Sequence, residues 1–298
     1  MLEIYPDFYD HFRCLAGDCR HSCCRGWEID VDAESAERYR SMKGDLGEAL
    51  RAALRGSEDE YFFRLTEDER CPFLRPDGLC RLILEAGENL LCDICTLHPR
   101  FFAEVEDAEL CGLGLSCEAV CALLLSAPEL RFVSSAGEDL SLAGLLTRLG
   151  VRLPEARLRY RPNTELEHLR ELLRRYGVCE PIDAAWTAEL EALRAALPEA
   201  VERAGRRTTA YDAAAYDRIY GYILFRQLER LPEFGVEPLL DFARDACDFI
   251  FLSETLWGDL PERLRRWSEE IEYSTENVEL LLHGNQFSEK IGVGEQSR

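Results

Sequence analysis

Thirteen cysteines constrain this 298-residue chain more than any other feature, because eleven of them lie between Cys14 and Cys121. The 177 residues that follow contain only Cys179 and Cys247. The first residues show neither the basic flank nor the apolar segment of a signal peptide, so we expect the protein in the cytoplasm. Thiols in that reducing compartment rarely form disulfides, and the odd cysteine count agrees. The crowded cysteines therefore need another explanation.

Metal ligation explains the crowding best. Four thiols within residues 14–24 cannot all be buried in so short a loop, whereas a metal gives each thiolate a partner. Further cysteines follow at short spacings, namely Cys71, Cys80, Cys92, Cys95, Cys111, Cys117 and Cys121. Four-cysteine sites serve zinc and iron–sulfur clusters alike. A single Cys-x2-Cys pair and the adjacent Cys23 and Cys24 favour an iron–sulfur cluster, and zinc remains the alternative.

Charge and hydropathy exclude two classes of partner. The chain carries 35 basic and 57 acidic side chains, a formal net charge of −22. An acidic surface repels phosphate backbones, so we expect no nucleic-acid partner, whereas a cationic protein would be attracted. The longest apolar run, around Val120–Leu125, is too short to span a bilayer, so we expect no membrane partner.

The hydrophobic pattern predicts a mainly α protein. We expect a Cys-rich metal-binding region of loops and short helices in residues 1–130, a helical bundle in 131–284 on which it packs, and a flexible tail in 285–298. No alternating strand pattern of any length is visible. The predicted helices are 33–54 with Asp32 as N-cap, 117–126, 164–177 with a capping box at Thr164, 183–201 divided near Pro198, 211–231, 238–256 and 261–282.

Several motifs together resemble the flagellin lysine N-methylase family. The opening motif is Phe12-x-Cys14-x4-Cys19-x3-Cys23-Cys24-x-Gly26-Trp27-x-Ile29-x-Val31-Asp32. The later motifs follow in the family's order: Cys71-Pro-Phe-Leu, Gly78-Leu-Cys80, Cys95-x2-His98-Pro99-Arg100, Leu113-x-Leu115-Ser116-Cys117-Glu118 and a last helix with Trp267, Ile271 and Asn277. The resemblance covers most of residues 12–282. It also extends to a broader class of cysteine-cluster proteins that bind zinc or iron–sulfur centres.

This resemblance implies transfer of methyl groups from S-adenosylmethionine to lysine ε-amines of flagellin or another lysine-bearing protein. It implies an iron–sulfur cluster, of the 4Fe-4S type, or zinc as the alternative. The cysteines within the shared pattern are the expected ligands, namely Cys14, Cys19, Cys23, Cys24, Cys71, Cys80, Cys95 and Cys117. The cysteines outside it are expected to be structural, namely Cys92, Cys111, Cys121, Cys179 and Cys247.

Two groups of residues are candidates for the methyl-transfer site. Glu270, Tyr273 and Asn277 share one face of the predicted last helix and could hold a lysine headgroup; the alternative is an ordinary polar edge of a packed helix. Trp27 and Arg100 lie close to cysteines in sequence and could contact the adenine or carboxylate of S-adenosylmethionine, or could shield the metal site. The alternative function is a non-catalytic metal-binding or metal-trafficking protein.

Overall fold

The computed structural model describes residues 1–57 and 60–284, so the tail expected in 285–298 lies outside the described residues. The chain forms two compact units. The inserted unit is Arg13–Phe101, and the split unit combines Met1–Phe12 with the described residues from 102 onward. The division therefore differs from the boundary that we expected at residue 130. The first twelve residues join the later part because their strand pairs with strands beyond residue 102.

The described residues are mainly helical, with eight short strands. The α-helices are α1 (Ala33–Ser41), α2 (Gly44–Ala53), α3 (Arg81–Ala86), α4 (Asp93–Leu97), α5 (Glu118–Ser126), α6 (Leu142–Arg148), α7 (Leu166–Tyr176), α8 (Ala184–Arg207), α9 (Ala213–Arg226), α10 (Leu231–Phe234), α11 (Val236–Trp257), α12 (Leu260–Trp267) and α13 (Thr275–Leu282). The strands are β1 (Leu2–Pro6), β2 (Ile29–Val31), β3 (Leu54–Ser57), β4 (Glu60–Phe63), β5 (Arg100–Val105), β6 (Ala108–Leu113), β7 (Arg131–Ser134) and β8 (Asp139–Ser141).

The strands form two sheets that the sequence pattern did not predict. One has the order β2-β4-β3 with antiparallel pairs, and the other has the order β5-β6-β1-β7-β8. In the second sheet, β1 is parallel to β6 and antiparallel to β7. The strands are three to six residues long, and β6 is buried at most positions on both faces. Such short or doubly buried strands lack the polar–apolar alternation from which a strand is recognised.

The helix predicted over residues 33–54 is two helices. Asp32 caps α1 as predicted, since its Oδ1 accepts a hydrogen bond from Ser35 N at 2.8 Å. The chain then turns extended at Met42, and α2 begins at Gly44 with a φ of +82°. A positive φ suits glycine and interrupts a right-handed helix.

Two predicted helix boundaries in the split unit were wrong. α7 starts with Glu165 as its N-cap and no side-chain cap, so Thr164 does not form the predicted capping box. α8 continues through Pro198 instead of dividing there. A proline inside a helix costs about 3 kcal/mol, and the fully buried Leu193 and Ala200 on either side hold the helix in place through packing.

The predicted last helix is interrupted. α12 ends at Trp267, a π-helical turn covers Ser268–Glu272, and α13 starts at Thr275. The apolar residues at helical spacing along this segment are nevertheless all buried, namely Leu264, Trp267, Ile271, Val278, Leu281 and Leu282. The π-turn shifts the helical phase, so Glu270 and Glu272 both become buried.

The core of the split unit contains α9 and α11. Ten residues of α9 and thirteen of α11 are buried. Among the described residues, no helix is both long and apolar enough to cross a membrane.

Candidate functional site

Eight of the thirteen cysteines fall in the inserted unit. Cys71 and Cys92 belong to its hydrophobic core, and three more cysteines pack against that core. We call these five the thiol group: Cys24, Cys71, Cys80, Cys92 and Cys95. Four distant segments of the sequence thus contribute thiols to one core.

Backbone pairing brings Cys24 and Cys71 together across 47 positions of sequence. Cys71 N donates to Cys24 O at 2.9 Å, and Gly26 N donates to Glu69 O at 2.9 Å. Between these hydrogen bonds, Arg25 and Arg70 form an antiparallel bridge. The opening motif is therefore held against the Cys71 segment by main-chain bonds, which do not depend on a metal.

A tight turn returns the chain from Cys71 to Cys80. Leu74 and Cys80 form an antiparallel bridge, and Arg81 N donates to Phe73 O at 2.8 Å. The turn requires Gly78, whose φ is +78°. Cys80 then forms the N-cap of α3.

The loop that carries Cys14 and Cys19 lies against this turn. A Cβ atom on Gly78 would be 3.0 Å from the Cα of Gly17, and one on Gly17 would be 2.8 Å from the carbonyl oxygen of Asp77. Two glycines thus permit a close backbone approach that larger residues would block. Cys14 is exposed and Cys19 is half-buried.

Cys92 and Cys95 lie in the first turn of α4. Asp32 positions this turn, because its Oδ1 caps α1 while its Oδ2 accepts from Asp93 N at 3.0 Å. The two thiols are hydrogen-bonded to each other, which lowers the pKa of Cys92 and raises the pKa of Cys95. Cys92, expected to be structural, therefore belongs to the thiol group.

The thiols of the group influence one another electrostatically. Hydrogen bonds from Cys23 and Ser22 lower the pKa of Cys24 to about 7, against the opposing effect of burial. Burial raises the pKa of Cys71 to about 12, and the neighbouring Cys24 and Cys80 add to that rise. Several buried thiolates in one place are unfavourable without a cation, and a bound metal supplies one.

The donor set suits a soft metal, although the sulfur atoms are not drawn together. Thiolates select zinc and iron–sulfur clusters over harder ions. Within residues 1–57 and 60–284, no three cysteine sulfur atoms lie within 4.8 Å of one another. A metal or cluster would therefore have to draw its ligands closer than they lie in this structure.

The remaining cysteines belong to the split unit. Cys117, one of the expected ligands, is the half-buried N-cap of α5. The others are buried, namely Cys111, Cys121, Cys179 and Cys247. The Cys121 thiol donates to Leu115 O at 3.0 Å, and burial raises the pKa of Cys247. Trp27 and Arg100, the residues expected to contact the cofactor, are half-buried in the inserted unit.

Glu270 and Asn277 occupy internal positions in the split unit. Glu270 is fully buried, its Oε2 accepts from Ile182 N at 2.9 Å, and its Oε1 lies 2.8 Å from Arg266 Nη1. Burial raises the pKa of Glu270 to about 7. The Asn277 side chain bonds to both backbone groups of Glu180 and to Glu270 O. Both side chains thus hold the segment between α7 and α8.

Tyr273 differs from these two residues because 36% of it is exposed. Its hydroxyl is hydrogen-bonded to Ser116, and partial burial raises its pKa. The buried ion pair of Arg226 and Glu272, 3.0 Å long, lies beside it. The structure therefore joins Tyr273 to the Ser116-Cys117 motif, across more than 150 positions of sequence. Serine is too common in sequences for this contact to be predicted from the chain.

This mainly helical, thiol-rich chain has curated relatives. A protein named Lysine-N-methylase from Salmonella choleraesuis (strain SC-B67) is 26% identical over 142 residues, which are 43% of this chain and 34% of that protein. Another of that name from Salmonella typhimurium (strain LT2) is 25% identical over 142 residues, with the same shares. Flagellar biosynthetic protein FliU of Salmonella muenchen is 26% identical over 137 residues, 42% of this chain and 77% of that protein.

The chain is a relative of the lysine N-methylases. The similarity spans about a third of the length of those curated methylases. No family model matches the chain. No solved structure matches it either.

Proposed function

We propose that this protein is an S-adenosylmethionine-dependent protein-lysine N-methylase that acts on flagellin or a similar lysine-bearing protein. The observation that carries the proposal is the relationship to curated lysine N-methylases. The name of the flagellar relative supports flagellin as the substrate. A formal net charge of −22 favours the approach of a lysine-bearing partner.

The proposed reaction is a direct displacement. The lone pair of a neutral lysine nitrogen forms a bond to the methyl carbon while the carbon–sulfur bond breaks. The bonding electrons go to sulfur, so the sulfonium becomes a neutral thioether, and the methylated ammonium releases a proton to solvent. The enzyme must therefore deprotonate the lysine, align it and exclude water.

Tyr273 is the proposed contact for the lysine headgroup, because the residue is partly exposed and its hydroxyl is held by Ser116. A hydroxyl can accept a hydrogen bond from an amine and an aromatic face attracts a cation. Glu270 and Asn277 flank Tyr273 in sequence, and the hydrogen bond from Asn277 Nδ2 to Glu270 O holds the turn that carries it. Trp27 and Arg100 remain the proposed contacts for S-adenosylmethionine.

The inserted unit is the proposed metal-binding part. Cys24, Cys71, Cys80 and Cys95 would hold an iron–sulfur cluster or zinc, with Cys92 as a further donor in the same core. A bound cluster or zinc ion would stabilise the thiolates and fix four chain segments relative to one another. Cys14, Cys19 and Cys23 adjoin this group in sequence or space, and they complete the proposed ligands of the inserted unit. Cys117 belongs to the split unit and is not assigned to this centre.

Labelled methyl transfer tests the enzymatic proposal. Anaerobically purified full-length protein is incubated with flagellin and S-adenosylmethionine labelled in the methyl group. Label on flagellin lysines is expected. Unlabelled flagellin, with a fully loaded metal site, would refute the enzymatic proposal and favour the alternative, a non-catalytic metal-binding or metal-trafficking protein, which the thiol group by itself supports.

Metal analysis with matched variants tests the proposed centre. Cys71→Ser and Cys95→Ser should lower iron and sulfide, or zinc, per chain. Cys179→Ser and Cys247→Ser are the controls, because these cysteines are buried singly in the split unit. Equal metal loss in all four variants would contradict the proposed ligands.

A further inference from the structure

Helices α7 and α11 place one imidazole and two carboxylates together, far in sequence from the thiol group. Nε2 of His168 lies 2.9 Å from Oδ2 of Asp248 and 3.9 Å from Oδ1 of Asp245. Within the described part of the chain, these three residues are the one set whose possible metal-ligating atoms all lie within 4.8 Å of one another. We call them the His–Asp–Asp group.

In each carboxylate, one oxygen lies toward His168 and is called the inner oxygen: Oδ2 of Asp248 and Oδ1 of Asp245. The other, outer oxygen accepts hydrogen bonds from residues outside the group. Oδ1 of Asp248 accepts hydrogen bonds from the Tyr160 hydroxyl at 2.7 Å and from Asn163 N at 2.9 Å. Oδ2 of Asp245 accepts from Arg175 Nη1 at 2.6 Å. Such outer contacts are typical of carboxylates that ligate a metal with their other oxygen.

Arg175 does not occupy the interior of the group. Its second nitrogen, Nη2, donates to Leu281 O at 2.8 Å, which anchors the guanidinium on the outer side of Asp245. The inner oxygen of Asp245, Oδ1, lies 3.9 Å from Nε2 of His168, which is too long for a hydrogen bond. A metal ion between these three atoms would therefore replace the hydrogen bond between Nε2 of His168 and Oδ2 of Asp248, but it would displace no bond of Arg175, Tyr160 or Asn163.

From this geometry we propose that His168, Asp245 and Asp248 bind a divalent transition-metal ion. Imidazole and carboxylate ligands suit manganese, iron, cobalt and zinc, and they differ from the thiolates of the inserted unit, which select softer centres. Two carboxylates and one guanidinium leave one negative charge when the imidazole is neutral, so a divalent ion is attracted. The Asp248 side chain is fully buried and 27% of the His168 side chain is exposed, which leaves a path for entry.

Three protein ligands leave coordination positions for water or a small anion, as in open metal sites. The bound ion would also join α7 to α11. The proposal does not depend on methyl transfer, since all three residues lie outside the thiol group.

Manganese binding tests the proposal. Mn²⁺ is the probe because it prefers oxygen and nitrogen ligands to thiolates. Full-length protein freed of metal by chelation is titrated with Mn²⁺, and the loss of the free-ion electron paramagnetic resonance signal counts bound ions. One bound ion per chain is expected, with affinity reduced about tenfold or more in H168Q and D245N.

The control is D241N, because Asp241 lies on the same helix, pairs with Arg244 at the surface and is outside the group. It should bind Mn²⁺ as the wild type does. We choose H168Q instead of a substitution at Asp248, because H168Q leaves the hydrogen bonds of Asp248 to Tyr160 and Asn163 intact. Circular dichroism confirms that each variant is folded.

Two results would overturn the proposal. One is a wild-type protein that binds no Mn²⁺ at millimolar concentration, which would mean that a proton on His168 satisfies both carboxylates. The other is unchanged binding in folded H168Q and D245N, which would place the bound ion elsewhere.

Discussion

Replacement of Asn277 separates a structural role from a catalytic one. Asn277 is buried, with 2% of the residue exposed. Its side chain makes three hydrogen bonds to main-chain groups. Oδ1 accepts from Glu180 N at 2.9 Å, and Nδ2 donates to Glu180 O at 2.9 Å and to Glu270 O at 3.1 Å. The amide is therefore matched to one donor and two acceptors.

The expected loss of stability follows from these bonds. Asn277→Ala leaves one N–H and two carbonyl groups without their partner, and each such buried group costs about 1–3 kcal/mol. Glu180 lies at the surface, so water can replace part of its two bonds. We therefore expect Asn277→Ala to lower the free energy of unfolding by about 2–4 kcal/mol.

Asn277→Asp should be more harmful than Asn277→Ala, although aspartate is nearly the same shape. Its carboxylate keeps the bond from Glu180 N, but it sets a negative oxygen against two carbonyl oxygens and brings charge close to Glu270. Burial of an unpaired charge costs several kcal/mol. A loss greater than that of the alanine variant, by about 1 kcal/mol or more, is expected.

Urea unfolding at neutral pH, followed by circular dichroism, measures both variants. Asn163→Ala is the control, because the Asn163 side chain makes one exposed bond, to Glu165 N at 3.1 Å, and should cost less than about 1 kcal/mol. If Asn277→Asp were as stable as the wild type, or more stable than Asn277→Ala, the hydrogen-bond assignment would be wrong. If both variants kept wild-type stability but lost methyl transfer, Asn277 would be catalytic instead.

Three further substitutions, one of them with a matched control, test other parts of the structure. Gly17→Ala should lower the free energy of unfolding by about 1–3 kcal/mol and reduce bound metal, because its methyl group would meet the carbonyl oxygen of Asp77 in the facing turn. Gly205→Ala is the control, because it lies in an open part of α8; it should raise the free energy of unfolding by about 0.5–1 kcal/mol. Tyr222→Phe should cost about 1–3 kcal/mol in urea unfolding, because the buried hydroxyl bonds to both Leu113 N and Leu113 O at 2.8 and 2.7 Å. Glu270→Gln should flatten the pH dependence of stability between about pH 4.5 and 7.

The sign of the last effect follows from proton binding. Burial raises the pKa of Glu270 from 4.5 to about 7 in the folded protein, so the folded state holds this proton more tightly than the unfolded state. Its contribution is present below the unfolded pKa and is lost as pH rises through the folded pKa, a total of about 3 kcal/mol. Urea unfolding across this pH range measures the slope.

Each of these three predictions has a contrary result. Unchanged metal content in Gly17→Ala would show that the loop approach does not support the thiol group. If Tyr222→Phe were as stable as the wild type, the two hydrogen bonds to Leu113 would make no net contribution to the free energy of unfolding. An identical pH slope in Glu270→Gln and the wild type would assign the slope to other groups.

Local patterns predicted the features that depend on neighbouring residues. The Asp32 cap, the helix before Pro128 and the apolar stripe from Leu264 to Leu282 follow from side-chain type and helical period. The interruptions of the predicted helices could not be predicted from these local patterns. Gly44 is a weak breaker in sequence, and nothing local distinguishes the π-turn at 268–272 from an α-helix. The turn places Glu270 and Glu272 together in the interior, where they pair with Arg266 and Arg226.

The motif spacing predicted a metal-binding region within the first 130 residues, and the shared motifs indicated the lysine N-methylase relationship that the curated relatives support. Only the tertiary structure decided that Cys92 joins Cys24 and Cys71 in one core, that Ser116 meets Tyr273, and that His168 faces two aspartates. The physical reason is the same in each case. Spacing along a chain reports contacts within a few residues, whereas contacts between distant segments depend on main-chain pairing and buried area that no local pattern encodes.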